Sequence, residues 1–146
     1  MEIYKTTPWS ISSLIDWINR NNIGLPDLQR PYVWDRARVR DLFDSLYNWY
    51  PTGLLIFLEN NTEKNIKWMW NKEIWSQIPR YVVIDWQQRL TSLYATLTWF
   101  EIIKSDGNKE KIIISFNPIK EIFSVADSST EKGNEWIYDI KEIIQW

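Results

Sequence analysis

The sequence predicts a single α+β domain. Three features carry that expectation: apolar residues at helical spacing in two early segments, short apolar runs of strand length, and a strand-turn-helix unit in mid-chain. The 146 residues suffice for one buried core and leave no room for a second full module. With 45% hydrophobic and 25% charged residues, the composition is that of a folded chain rather than a disordered one.

Ser10 caps a first helix whose apolar residues Ile11, Leu14, Ile15 and Ile18 share one face, and Asn21, Asn22 and Gly24 stop it. The stretch IGLPDLQRPYVWD (23–35) holds two prolines and reads as extended structure and loop. Asp35 caps a second helix with Val39, Leu42, Phe43, Leu46 and Tyr47 on one face, ended by Pro51 and Gly53. The alternating charges Asp35, Arg36, Arg38, Arg40, Asp41 and Asp44 make a solvated helix face, not a phosphate-binding rail. LLIFLE (54–59) reads as a strand buried on both sides, and Asn60, Asn61 and Thr62 as a turn into a tryptophan-rich segment, 64–78, that shows no firm pattern.

YVVID (81–85) predicts a buried strand, followed by a helix with Leu90, Leu93, Tyr94 and Leu97 at helical spacing. Asp106, Gly107 and Asn108 turn the chain into the strand KIIISFNP, with EIFSV (121–125) as its hairpin partner; DSSTEKGNE (127–135) reads as a loop. A last element, 136–146, starts and stops in mid-pattern, so the chain reads as a piece of a longer protein. No internal repeat or linker is apparent.

Charge and composition narrow the chemistry. A net charge of −2 gives no global attraction to a polyanion, so a stand-alone DNA binder would need a localised basic patch, and none stands out. The absence of cysteine and histidine removes disulfides, thiolate metal sites, cysteine nucleophiles, the usual zinc ligand and the commonest general base. Catalysis would fall to carboxylates, amides, arginines and backbone. Neither a signal sequence nor an apolar run of membrane-spanning length is present, so no membrane partner and a cytoplasmic location are expected.

Two segments concentrate candidate chemistry. YVVID delivers Asp85 to the end of a strand, and Gln87, Gln88 and Arg89 open the next helix, where free N–H groups and the helix dipole favour an anion. Arg89 could grip a phosphate, the two glutamines could donate amide hydrogen bonds, and Asp85 could orient a water or a metal ion. Alternatively, Asp85 merely caps the helix and Arg89 pairs with it at the surface. In PDLQRPYVWD, Gln29 and Arg30 sit beside Tyr32 and Trp34 and could line a pocket, or the two aromatics could simply anchor the loop to the core.

Together LPDLQRPYVW and VIDWQQRLTSLY resemble the N-terminal domain of GmrSD-type, modification-dependent restriction endonucleases, whose hallmark is Asp-Gly-Gln-Gln-Arg. The resemblance runs from about residue 9 to residue 125. It implies a ParB/sulfiredoxin-like fold and a bound nucleoside triphosphate with a divalent cation, magnesium above all. It also implies hydrolysis of that nucleotide, and a C-terminal nuclease domain or separate nuclease subunit through which the full enzyme acts on DNA. Carried over by position, Asp85, Gln88 and Arg89 would be catalytic, while Gln29, Arg30, Gln87 and the residue at 86 would bind nucleotide; no metal ligand is assigned beyond Asp85. The chain alone is not expected to cut DNA. A non-catalytic DNA-sensing or protein-interaction module is the alternative.

The chain departs from the family at Trp86, where glycine is expected, and Trp49 and Trp99 also stand where the resemblance implies glycine. Eleven tryptophans against four glycines invert ordinary usage, which would give roughly ten glycines in this length. Opal codons that mean glycine but are read as tryptophan would explain both; drift in a decayed gene is the alternative.

Overall fold

A computed structural model describes residues 4–26, 31–60, 66–67 and 79–144. Helix α1 (Ile11–Asn19) starts at Ser10, whose Oγ accepts the Ser13 N–H at 3.1 Å, and it buries Leu14, Ile15 and Ile18. Helix α2 (Arg36–Tyr47) starts at Asp35, whose carboxylate accepts the Arg38 N–H at 2.8 Å, and it turns Val39, Leu42 and Phe43 inward. In both, a short polar side chain satisfies a first-turn donor that the helix cannot.

Strands β1 (Ile23–Pro26), β2 (Ile56–Glu59), β3 (Ile66–Lys67) and β4 (Tyr81–Asp85) form a mixed sheet in the order β2-β4-β1-β3. β4 is parallel to β1, pairing Ile23 with Tyr81, and antiparallel to β2. Helix α3 (Gln87–Thr98) follows β4 directly and buries every residue from Leu90 to Leu97. Its polar members are partly satisfied within the helix, as where the Ser92 hydroxyl donates to Gln88 O at 2.7 Å.

Beyond α3 come the pair β5 (Ile102–Ile103) and β6 (Lys109–Glu110), then the hairpin of β7 (Ile114–Asn117) and β8 (Ile122–Val125). The hairpin packs on α2, with the Phe43 and Phe123 rings 6.1 Å apart and Tyr47 and Phe116 5.4 Å apart. Helix α4 (Ser128–Lys132) and a 3₁₀ turn (Ile140–Glu142) complete the described chain. The result is a mixed α/β arrangement of small sheets and helices, as the sequence predicts.

Several local expectations need correction. The run 54–59 is not buried on both sides: among the described residues β2 is an edge strand, and Leu54 ahead of it and Ile56 and Leu58 within it are exposed. β4 is buried only in its first half, at Val82 and Val83, while Ile84 and Asp85 are exposed. The stretch 127–135 is not all loop. Asp127 accepts the Ser129 and Thr130 N–H groups, the Thr130 hydroxyl accepts the Asp127 N–H, and this reciprocal cap nucleates α4. Most of 64–78 lies outside the described residues.

The two burial states make a direct comparison. Leu93 is fully buried, so Leu93→Ala is expected to cost about 2 to 5 kcal/mol in urea unfolding. Leu58 is 58% exposed on the open sheet face, so Leu58→Ala is expected to cost less than about 1 kcal/mol. Equal losses would mean that the outer face of β2 is covered.

Candidate functional site

The site lies where the sheet hands over to α3. β4 ends at Asp85 and α3 begins at Gln87, so residue 86 makes the whole turn. Trp86 has φ 83° and ψ 12°, a left-handed conformation, and supplies no side-chain cap. Leu90 N–H donates to Trp86 O at 2.9 Å, and the N–H groups ahead of it in the first turn lie outside the helix's own hydrogen-bond ladder.

Asp85 is exposed, and its carboxylate accepts the Trp86 N–H at 2.7 Å. Trp86 is only 8% exposed, and its indole donates from Nε1 to Thr52 O at 2.9 Å. The Arg89 guanidinium lies over that ring, 5.3 Å from its centroid. Among the described residues Arg89 has no carboxylate in salt-bridge contact, so the simple Asp85–Arg89 surface pair is not formed.

Gly53 faces the turn from the approach to β2. Its φ of 90° suits glycine, and a Cβ there would stand 3.4 Å from Arg89 Nη1 and 3.6 Å from Trp86 Nε1. Thr52 and Gly53 are therefore part of the site. The sequence marks Gly53 only as the end of a helix, because nothing local tells that residues 52–53 return beside residue 86.

Gln88 has a defined task. Its Nε2 donates to Pro31 O at 3.0 Å and its Oε1 accepts the Val33 N–H at 2.9 Å, so one amide clasps the incoming loop by its backbone. Between those contacts the buried Tyr32 hydroxyl shares a 2.9 Å hydrogen bond with Ser92 of α3. Trp34 packs half-buried against the core, in keeping with an anchoring role. The structure thus brings Asp85, Trp86, Gln87, Gln88 and Arg89 together with the 31–34 segment; Gln29 and Arg30 lie outside the described residues. No group of three or more metal-ligating side chains occurs among the described residues.

Tyr32 is the strongly perturbed group nearby. Burial pushes its hydroxyl up to about 12; the Ser92 hydrogen bond works against this, and the fields of Glu110 and Asp35 add to it.

Residues 11–145 match the family described as GmrSD restriction endonuclease, N-terminal domain. An uncharacterized protein of Methanocaldococcus jannaschii is 32% identical over 94 residues, a match that covers 56% of this chain and 16% of that protein. The chain therefore spans a small part of that relative's length. No solved structure matches. No helix among the described residues is long and apolar enough to cross a membrane.

Tyr32 gives the clasped loop a signature in alkali. Below pH 10 the hydroxyl is neutral in both folded and unfolded chains; between about pH 10 and about pH 12 only the unfolded chain releases its proton, so folding loses stability across that window. The loss should be of order 2 kcal/mol at its upper end. Tyr32→Phe should be about 1 kcal/mol less stable at neutral pH and show a smaller alkaline loss in denaturant titrations. An identical alkaline slope in both proteins would place the Tyr32 hydroxyl in solvent.

Proposed function

The chain belongs to the GmrSD restriction endonuclease N-terminal domain family, and from that membership we propose that it is the nucleotide-sensing part of a DNA restriction enzyme with a phage-defence role. It binds a nucleoside triphosphate with magnesium at the turn between β4 and α3 and hydrolyses it. The nuclease is carried by a further domain or a separate subunit, through which the full enzyme acts on DNA. A ParB/sulfiredoxin-like arrangement of the sheet and α3 belongs to the same reading.

The observation that carries it is the meeting of Arg89, Gly53 and the mouth of α3 around one left-handed residue. A phosphate there would meet first-turn N–H groups at the positive end of the helix dipole and a guanidinium able to bond it in two places. Gln87 belongs to the same first turn. Asp85, exposed at the strand end, has the chemistry to orient an attacking water or to share a cation with the phosphates. Magnesium fits a site with one carboxylate because phosphate oxygens and water fill most of its shell, and it would neutralise charge on the nucleotide. Gln88 acts as a positioning residue that holds the 31–33 segment over the site.

A second reading has its own support. Both ends of the Gln88 amide are used on loop backbone, and Arg89 rests on the Trp86 ring, an arrangement that also serves a silent DNA-sensing or protein-interaction module. Titration of magnesium ATP and GTP into the Trp86→Gly chain separates the two. The nucleotide reading expects saturable binding, weakened roughly ten- to a hundredfold by a further Arg89→Ala, since a buried charge-assisted contact is worth about 1.5 to 3 kcal/mol. Arg89→Lys should restore only part, because lysine lacks the two-pronged fork. No saturable binding, or binding indifferent to Arg89, favours the silent module.

A further inference from the structure

Three tryptophans occupy left-handed backbone. Trp49, Trp86 and Trp99 have φ of 58°, 83° and 58°, whereas Trp9, Trp17, Trp34 and Trp136, the other tryptophans among the described residues, do not have positive φ. In this region the Cβ of an L residue crowds the neighbouring carbonyl, so a bulky side chain is an outlier there, while glycine enters freely.

The three places are also structurally alike, since each begins or ends a helix. At the end of α2 the Trp49 N–H donates to Leu46 O at 3.3 Å and the Tyr50 N–H to Ser45 O at 2.9 Å, with Pro51 next. The end of α1 repeats that closure: the Asn21 N–H donates to Ile18 O and the Asn22 N–H to Trp17 O, both at 2.9 Å. There the left-handed residue is Asn21, of the type that shares this position with glycine. Trp99 is the left-handed cap of α3. Trp86 starts α3 from a left-handed turn where an extended Ser, Thr, Asp or Asn is usual.

Of the three indoles only that of Trp86 is buried, and packing does not explain the other two. Trp49 is 92% exposed and so buries almost nothing that could offset the strain. Trp99 is half exposed, bonded through its N–H to Asp139 and overlain by the ammonium groups of Lys111 and Lys141. The other left-handed side chain, Glu121, lies in the exposed turn between β7 and β8, where an isolated positive φ is common. Among the described residues other than glycine, tryptophan is the one type that recurs at positive φ.

We infer that the native polypeptide carries glycine at positions 49, 86 and 99. The three codons are opal triplets, UGA, which translation in the source reads as glycine and which a code assigning UGA to tryptophan renders as tryptophan. UGA differs from the tryptophan codon UGG only in its third base, and from the glycine codon GGA only in its first. The four glycines and eleven tryptophans of the chain are skewed in the direction this requires. Glycine at 86 also clears the space beneath Arg89 and beside Thr52. The inference rests on backbone geometry and stands whether or not that space binds a nucleotide.

Two measurements test it. The first compares Trp49→Gly with Trp49→Ala: both remove the indole, so the difference isolates the backbone. In ordinary helix alanine is the better residue, as Trp17→Gly and Trp17→Ala in α1 should show, but at a left-handed position the order reverses. The Trp49→Gly chain is expected to melt about 3 to 6 °C above the Trp49→Ala chain; an alanine variant as stable as the glycine variant overturns the inference at that position. The second reads codons 49, 86 and 99 in the source genome and the masses of the matching peptides from source cells. UGA with a glycine mass is expected. UGG at these codons, or a tryptophan mass at UGA, overturns the inference without any need for a variant to fold.

Discussion

One left-handed residue, at position 86, joins an interior strand of the sheet to the most completely buried helix, and the other elements are placed relative to that joint. β4 lies between β2 and β1, and α3 buries eight consecutive residues, Leu90 to Leu97. A single residue between two such elements has no slack with which to correct the angle. The backbone at 86 therefore fixes at once how α3 lies against the core, where Arg89 points and which part of the 31–34 segment Gln88 can reach. Fold and candidate site share this constraint, which is why a side chain there bears on both.

The loop opposite the joint is held by several modest interactions. Gln88 takes its backbone from one side and the Tyr32 hydroxyl meets Ser92 beneath. From the far side, Tyr32 bridges to Lys104, and Lys104 and Arg36 both pair with Glu110, which ties the β5–β6 pair to α2. Burial of Glu110 disfavours its charge, but hydrogen bonds from Lys104 and Arg36 outweigh that and hold its carboxyl below the usual range. Each surface pair is worth little alone. Their effect is to fix residues 31–33 beside a rigid helix, the usual relation of loop to scaffold.

Legibility in the sequence followed the range of the signal. α1 and α2 could be read because a capping residue and an apolar stripe coincide, at Ser10 with Leu14 and Ile18 and at Asp35 with Val39 and Phe43; α3 could be read from its stripe alone, at Leu90, Leu93 and Leu97. The β7–β8 hairpin was legible from two apolar runs at hairpin distance. The run at 54–59 misled because an apolar stretch states that a strand is possible but not whether it lies at an edge. α4 escaped because its cap pairs Asp127 with Thr130, where a sequence signature leads one to look for Glu or Gln. At the site, Asp85 through Arg89 could be found because they are contiguous. Thr52, Gly53 and Ser92 could not, because their approach to that segment is made by the sheet and by the turn of the helix.

The proposed opening of the mouth of α3 to an anion by glycine at 86 is tested most directly by amide chemical shifts of the Trp86→Gly chain as magnesium nucleotide is added. The largest shifts are expected at residues 86–89 and at Gly53, with the 31–33 loop following and the β7–β8 hairpin unmoved. Shifts centred elsewhere, or none at saturating nucleotide, would contradict it.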